Sequence, residues 1–203
     1  MTNQRVEYPG YKYCFIDTET TGLDPQVHSI HQLTAIITDP NLNELETFNI
    51  KFAPWEIAHF EQSALDVGHV TLEELKNRPT SFRMAYASFQ EFLHHHCAKF
   101  DKKDKLQFVG YNAPFDAQFV RSFFEVCADR YFGSWFWNPP ICVMQASAWY
   151  VQRVRGALPD FKLGTMCQSA GISWDQDGAH DALYDVRKTI ELFRYLQNLT
   201  PKL

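Results

Sequence analysis

Tyr13-Cys14-Phe15-Ile16-Asp17-Thr18-Glu19-Thr20-Thr21-Gly22-Leu23 carries the fold of this chain in outline. Residues 13–16 are a short apolar run of the kind that makes a buried strand. The run ends in two acids spaced two apart. Residues i and i+2 of a strand project from one face, so Asp17 and Glu19 can reach one ion together. Thr20-Thr21-Gly22 then breaks the strand, and Gly22 allows either a close backbone approach or a positive φ. An exposed acidic strand end would use the same residues, but an acidic pair directly after an apolar strand is a costly way to make one.

Two further acidic clusters follow in order. Gly110-Tyr111-Asn112-Ala113-Pro114-Phe115-Asp116 comes at the end of an apolar stretch over residues 106–111. Pro114 suits a first helical turn, where its missing N–H costs nothing. Asp116 sits in the same turn, where the helix dipole favours a carboxylate; taken alone, that role would explain it. The third cluster is His180-Asp181-Ala182-Leu183-Tyr184-Asp185. Leu183, Val186, Ile190 and Phe193 mark a C-terminal helix, with His180 in the preceding loop and Asp185 in its early turns. A loop histidine can swing over a metal-bound water; a surface histidine near a helix start is the plain alternative. Asp17, Glu19, Asp116 and Asp185 offer oxygen donors only, which suits a hard cation such as Mg²⁺ or Mn²⁺. Two such ions about 3.5–4 Å apart can activate a water and stabilise a leaving oxygen.

Outside these clusters, residues 33–38 are β-branched and apolar, residues 47–52 alternate, and residues 141–143 make a last short strand. Phe82, Ala85, Phe89, Phe92 and Leu93 recur at helical spacing, which predicts a helix over 82–97. Phe115, Phe119 and Phe123 predict the next one. Residues 144–154 and 163–170 read as helices, the second closed by Gly171. Three strands followed by alternating strands and helices predict an α/β fold with a mixed central sheet, and ligands of open α/β sheets lie at strand ends.

The 203 residues suit one domain, 1–203, with its core at about 13–199. A hydrophobic fraction of 45% and an aromatic fraction of 15% exclude global disorder. A net charge of −5 argues against a broad basic surface that grips nucleic acid anywhere, but not against a site where metal ions neutralise phosphate. The five cysteines form no Cys-x-x-Cys pair, so zinc and redox motifs find no support. Residues 1–13 lack an apolar leader core, and no run reaches membrane-span length. A cytoplasmic protein with no membrane partner is the expectation.

The three clusters, in this order and spacing, resemble the DEDDh 3′–5′ exonucleases, a family that includes ribonuclease T, oligoribonuclease and polymerase proofreading subunits. Weaker matches at Ala64-Leu65-Asp66-Val67 and Leu163-Gly164-Thr165-Met166-Cys167 extend the likeness over nearly the whole chain. The resemblance implies a ribonuclease H-like fold, an α/β architecture with a five-stranded mixed central sheet flanked by helices. It implies a metal-dependent exonuclease that cuts phosphodiester bonds at 3′ ends of single-stranded DNA or RNA and releases nucleoside 5′-monophosphates with two ions, Mg²⁺ or Mn²⁺. By the same resemblance Asp17 bridges both ions, Glu19 and Asp185 complete the tighter site, Asp116 acts through metal-bound water, and His180 is the general base. Its unperturbed pKa of about 6.5 suits that task. Thr20, Thr21, Gly22, Leu23 and Asn112 are the implied substrate contacts. The chain departs from the family pattern at Tyr111, where many relatives carry His, and near the fifth strand, where many carry Asp-Thr and this chain has Cys142-Val143-Met144-Gln145.

Other features are expected to mean less. Adjacent histidines His94-His95-His96 point different ways on a helix, cannot all bind one ion and should be mostly exposed. Residues 131–137 are densely aromatic and could stack bases, with core packing or a subunit contact the favoured role. Arg153, Arg155 and Lys162 flank a loop where phosphate contact and simple solvation are equally good accounts. The charged run at 99–105 is expected to be a solvated connection. A catalytically inactive nucleic-acid-binding protein or polymerase accessory subunit is the alternative function, with a polymerase or a second copy as open partners. A ribonuclease H-type endonuclease shares the metal chemistry. DNA and RNA stay equally open as substrates.

Overall fold

The computed structural model describes residues 11–175 and 181–199. Three strands come first: β1 (Lys12–Thr20), β2 (Ile30–Thr38) and β3 (Glu44–Lys51). Three helices follow, α1 (Gln62–Val67), α2 (Leu72–Lys76) and α3 (Phe82–His94). Then come β4 (Leu106–Gly110), α4 (Ala113–Val126), α5 (Phe132–Trp135) and β5 (Ile141–Cys142). The chain closes with α6 (Val143–Tyr150), α7 (Leu163–Ser169) and α8 (Ala182–Leu199). The strands form one sheet in the order β3-β2-β1-β4-β5. β1 pairs antiparallel with β2 and parallel with β4. The sheet is therefore mixed and five-stranded, with β1 at its centre.

β1 alternates between two faces. Cys14 and Ile16 enter an aromatic core with Phe52, Phe89, Phe119, Phe123 and Phe124 under α3 and α4. Phe123 is its hub: its ring stacks on Phe52 at 5.4 Å and meets Phe82 edge-on at 4.7 Å. Phe15 faces the other way, into an aliphatic core with Ile36, Val109, Val186 and Ile190 beneath α8. Asp17 and Glu19 continue the Phe15 face, and Thr18 continues the Ile16 face, because side chains alternate along a strand.

Several boundaries differ from the sequence expectation. β1 runs on through the acids to Thr20, because β2 pairs with it residue by residue up to a bulge between Glu19 and Thr20. α3 stops at His94, and Cys97 stays buried by folding its N–H back onto the Leu93 carbonyl at 3.1 Å. α6 ends at Tyr150, and a separate short 3₁₀ turn covers Arg155–Ala157. α7 closes as expected: Gly171 has φ +74°, and the N–H groups of Gly171 and Ile172 reach the Gln168 and Cys167 carbonyls. That is the paired 5→2 and 6→1 closure of a left-handed C-terminal residue.

α1, α2 and α5 lie outside the helices that the apolar spacing predicts. α2 had a signal in plain view: Thr71 accepts from the Glu74 N–H at 3.2 Å while the Glu74 carboxylate accepts from the Thr71 N–H at 2.7 Å, a capping box written as Thr-x-x-Glu. α5 lies inside the aromatic stretch, where Phe132, Trp135 and Phe136 are core and Tyr131 and Trp137 face solvent. The 99–105 run is a solvated turn segment, except that Lys99 pairs with Asp129 at 2.9 Å. Of the three histidines, His94 and His95 are exposed as expected, and His96 is partly buried. Beyond the end of α3, His95 and His96 converge on Glu46 at 3.3 and 2.7 Å, while His94 packs edge-on to Trp135. No helix among the described residues is long and apolar enough to cross a membrane.

Candidate active site

The acids arrive at one end of the sheet from three elements. Asp17 and Glu19 come from the C-terminal half of the central strand, Asp116 from the first turn of α4, and Asp185 from the first turn of α8. α4 begins directly after β4, which lies parallel to β1, so the chain reversal at Asn112 delivers Asp116 beside the end of β1. His180 lies outside the described residues.

Asp116 keeps its place in the first turn of α4, and its carboxylate also reaches across to β1. It is 5% exposed, and its Oδ1 accepts two hydrogen bonds from Thr18, one from the backbone N–H at 3.0 Å and one from the hydroxyl at 2.8 Å. Thr18 thus anchors Asp116 to the strand that carries Asp17 and Glu19. Asp181 takes the capping task in α8: its Oδ1 accepts from the N–H groups of Leu183 and Tyr184 at 3.0 and 3.2 Å. Sequence reasoning passed over Asp181, although an acid just before the first helical residue is a standard start signal.

The electrostatics report the convergence. Burial raises Asp17 well above the usual carboxylate range, and the charges of Asp116, Glu19, Asp185 and Asp181 add to it. Burial raises Glu19 to about 7, helped by Asp185 and Asp116 and opposed by Lys51. Burial also raises Asp116 to about 7, against the two Thr18 hydrogen bonds, which pull it down. Carboxylates that repel one another in a poorly solvated place make a site short of positive charge. Lys51 is a cation that sequence reasoning missed. Only strand register reveals it, since Glu19, Gln32 and Lys51 stand opposite one another across β1, β2 and β3.

The donors suit a divalent cation chemically: they are oxygens, they are negative, and they lack a balancing positive charge. They do not form a finished cage. Among the described residues, no group of three or more His, Cys, Asp or Glu side chains is arranged to hold a metal ion.

The segment beyond Glu19 is held from within. Thr21 is fully buried; its hydroxyl donates to the His59 carbonyl at 2.7 Å and accepts from the Ser29 N–H at 2.9 Å. The Thr20 hydroxyl donates to the Gly22 carbonyl at 2.8 Å. Leu23 is 72% exposed, an apolar side chain presented to solvent. Gly22 is there for close approach and not for backbone handedness. A Cβ at this position would stand 2.4 Å from the His28 ring, and among the described glycines only Gly171 has a positive φ. Asn112 precedes α4 with an exposed side chain that makes no cap bond. At the two departures from the family pattern, Tyr111 donates its hydroxyl to the Phe161 carbonyl at 2.6 Å, and Cys142 is a buried core residue.

Comparison with known proteins gives the family and the fold. A family model described as Exonuclease, of the RNase T type, matches residues 14–193. Ribonuclease T of Histophilus somni is 27% identical over 100% of this chain and 94% of its own length. Ribonuclease T of Yersinia enterocolitica is 30% identical over 97% of this chain and 89% of its own. Among solved structures, the zinc-bound E. coli exonuclease I–ssDNA complex superposes with a TM-score of 0.76 at 22% identity, over 95% of this chain. This chain spans 41% of that longer protein, so the likeness shows a shared ribonuclease H-like fold. The chain belongs to the RNase T family of exonucleases and is, by that membership, a 3′–5′ exonuclease.

Proposed function

We propose that this chain, as one domain over residues 1–203, trims single-stranded DNA or RNA from the 3′ end and releases nucleoside 5′-monophosphates. The observation that carries the reading is the gathering of Asp17, Glu19, Asp116 and Asp185 at one end of the sheet with their charges mutually opposed. In this reading Asp17, Glu19, Asp116 and Asp185 would hold two divalent ions, with Asp17 shared between them, Glu19 and Asp185 on the tighter side, and Asp116, oriented by Thr18, contributing through water. When bound, Mg²⁺ or Mn²⁺ neutralises the phosphate and acidifies the attacking water. His180 takes the proton of that water as general base. Gly22 and Thr20 offer backbone and hydroxyl to the 3′-OH, Leu23 packs on the terminal base, Thr21 acts by holding the loop, and Asn112 contacts the strand at the start of α4. The five free cysteines, four of them buried, fit work in the reducing cytoplasm.

The test uses 5′-labelled oligonucleotides of matched sequence, as DNA and as RNA, ending in a 3′-OH or a 3′-phosphate. A descending ladder from the 3′-OH substrates alone, abolished by EDTA and restored by Mg²⁺ or Mn²⁺, is the expected result. The RNA-to-DNA rate ratio assigns the substrate. Internal cuts, equal rates on both ends or turnover in excess EDTA would overturn the reading. Binding without any cleavage would favour an accessory subunit.

A further inference from the structure

The loop from Thr20 to His28 rests on a residue outside every motif named so far. We propose that His28 is a positioning residue for substrate: its ring is the support that sets the height of the Thr20–Leu23 segment above the carboxylates, and so governs how firmly the terminal nucleotide is held. This rests on the assignment of that segment to the 3′ end.

His28 is 7% exposed, and its ring lies directly under Gly22. An added Cβ on Gly22 would meet ring atoms Cδ2 and Nε2 at 2.4 Å and Cγ at 2.6 Å, far inside contact distance. The ring cannot swing away freely. Its Nδ1 stands 3.0 Å from the Asp24 N–H and 3.2 Å from the Asp24 carbonyl, and its Nε2 faces the Glu61 carboxylate at 3.5 Å. The His59 ring closes in at 6.5 Å between centroids.

The backbone around the ring is equally tied. The His28 N–H reaches the Asp24 carbonyl at 2.8 Å, and the His59 N–H reaches the Val27 carbonyl at 2.8 Å. The Glu61 N–H reaches the Thr21 carbonyl at 2.8 Å. The loop is therefore clamped on its protein side to residues 28, 29, 59 and 61, while Leu23 is left open on its other side. A wedge that touches only the protein side of a binding loop changes how the loop presents itself and not the chemistry of the acids. Losing it should cost uniform binding, which appears in KM, while a lost transition-state contact would appear in kcat.

The experiment compares wild type, His28→Ala, His28→Asn, Gly22→Ala and the double variant Gly22→Ala/His28→Ala on a single-stranded 3′-OH oligonucleotide with saturating Mg²⁺. His28→Ala should raise KM roughly tenfold, the scale of one lost hydrogen bond with its packing, with kcat within about twofold. His28→Asn keeps an acceptor for the Asp24 N–H and should recover part of the loss. Gly22→Ala should raise KM by displacing the ring. In the double variant the new methyl occupies the vacated space, so KM should lie well below the product of the two single effects. Hydrogen exchange of the peptide over residues 20–28 provides a readout independent of turnover and should quicken in His28→Ala. Unchanged KM in His28→Ala, multiplicative effects in the double variant, or unchanged exchange would each overturn the assignment. If wild type yields no 3′-end ladder, the exonuclease reading fails by itself, and the exchange result still decides whether His28 supports the loop.

Discussion

The two halves of β1 make different use of the same strand geometry. Residues 13–16 alternate between two apolar cores and are walled by neighbours on both sides, Phe15 facing α8 and Ile16 facing α3 and α4. Residues 17–20 keep the alternation but change its content: Asp17 and Glu19 stand where Phe15 stood, and Thr18 stands where Ile16 stood. In the first half alternation stabilises by removing apolar area from water, at about 25 cal/mol per Å². In the second half it brings like charges together in a poorly solvated place, which costs stability while those charges stand uncompensated. The lower half builds the frame, and that frame holds the upper half in an arrangement it would not adopt unaided.

That contrast can be broken most forcefully at Asp17. Asp17→Asn should lower turnover by at least about a thousandfold, since charge stabilisation by bound ions supplies several kcal/mol. In EDTA the same variant should melt no lower than wild type, because it removes a carboxylate that Asp116, Glu19 and Asp185 all oppose. Steady-state rates and calorimetry on one preparation check both halves of the claim; a large fall in melting temperature would mean that Asp17 belongs to the frame.

Phe123 is the complementary probe. Phe123→Ala removes the ring that Phe52, Phe82 and Tyr86 all pack against and should cost about 3–5 kcal/mol of stability. Well below its melting point the residual folded protein should keep most of its kcat. Urea unfolding measures the first effect and rates at low temperature the second.

Thr18 joins the two regimes and sharpens the distinction. Thr18→Val removes the hydroxyl bond to Asp116 but leaves the backbone bond. Losing one hydrogen bond to a charged acceptor should reduce activity by roughly ten- to a hundredfold with about 1 kcal/mol of stability change. An activity equal to wild type would show that the backbone N–H alone orients Asp116.

The smallest effect is a pH dependence of the chelated protein. Glu19 and Asp116 are raised to about 7, above the roughly 4 of an unfolded carboxylate. Between these values the folded state binds more protons than the unfolded one, so stability falls as pH rises from about 4 to 7. In EDTA the melting temperature should therefore drop by several degrees between pH 5 and pH 7.5, other groups being shared with the metal-loaded protein, and Mg²⁺ should reverse much of the drop at the upper pH. A melting temperature that climbs over this range, or is indifferent to Mg²⁺, would contradict the electrostatic account.

The amino-acid sequence by itself determined the sheet-forming runs, the amphipathic helices around Phe89 and Phe123, the Gly171 closure and the order of the acidic clusters, because each is written in local spacing. It left open whether Asp116 serves only its helix dipole or joins the other acids, and whether Gly22 serves handedness or contact. Only the tertiary structure decided these. Asp116 is answered by Thr18, ninety-eight positions away, and Gly22 by the ring of His28. Lys51 owes its influence on Glu19 to strand register across β2, and Asp181 became part of the acidic group only when α8 docked against β1. The physical reason is one and the same: periodicity and capping are properties of a few neighbouring residues, whereas charge repulsion, burial and close approach depend on distances that exist only after distant segments have packed.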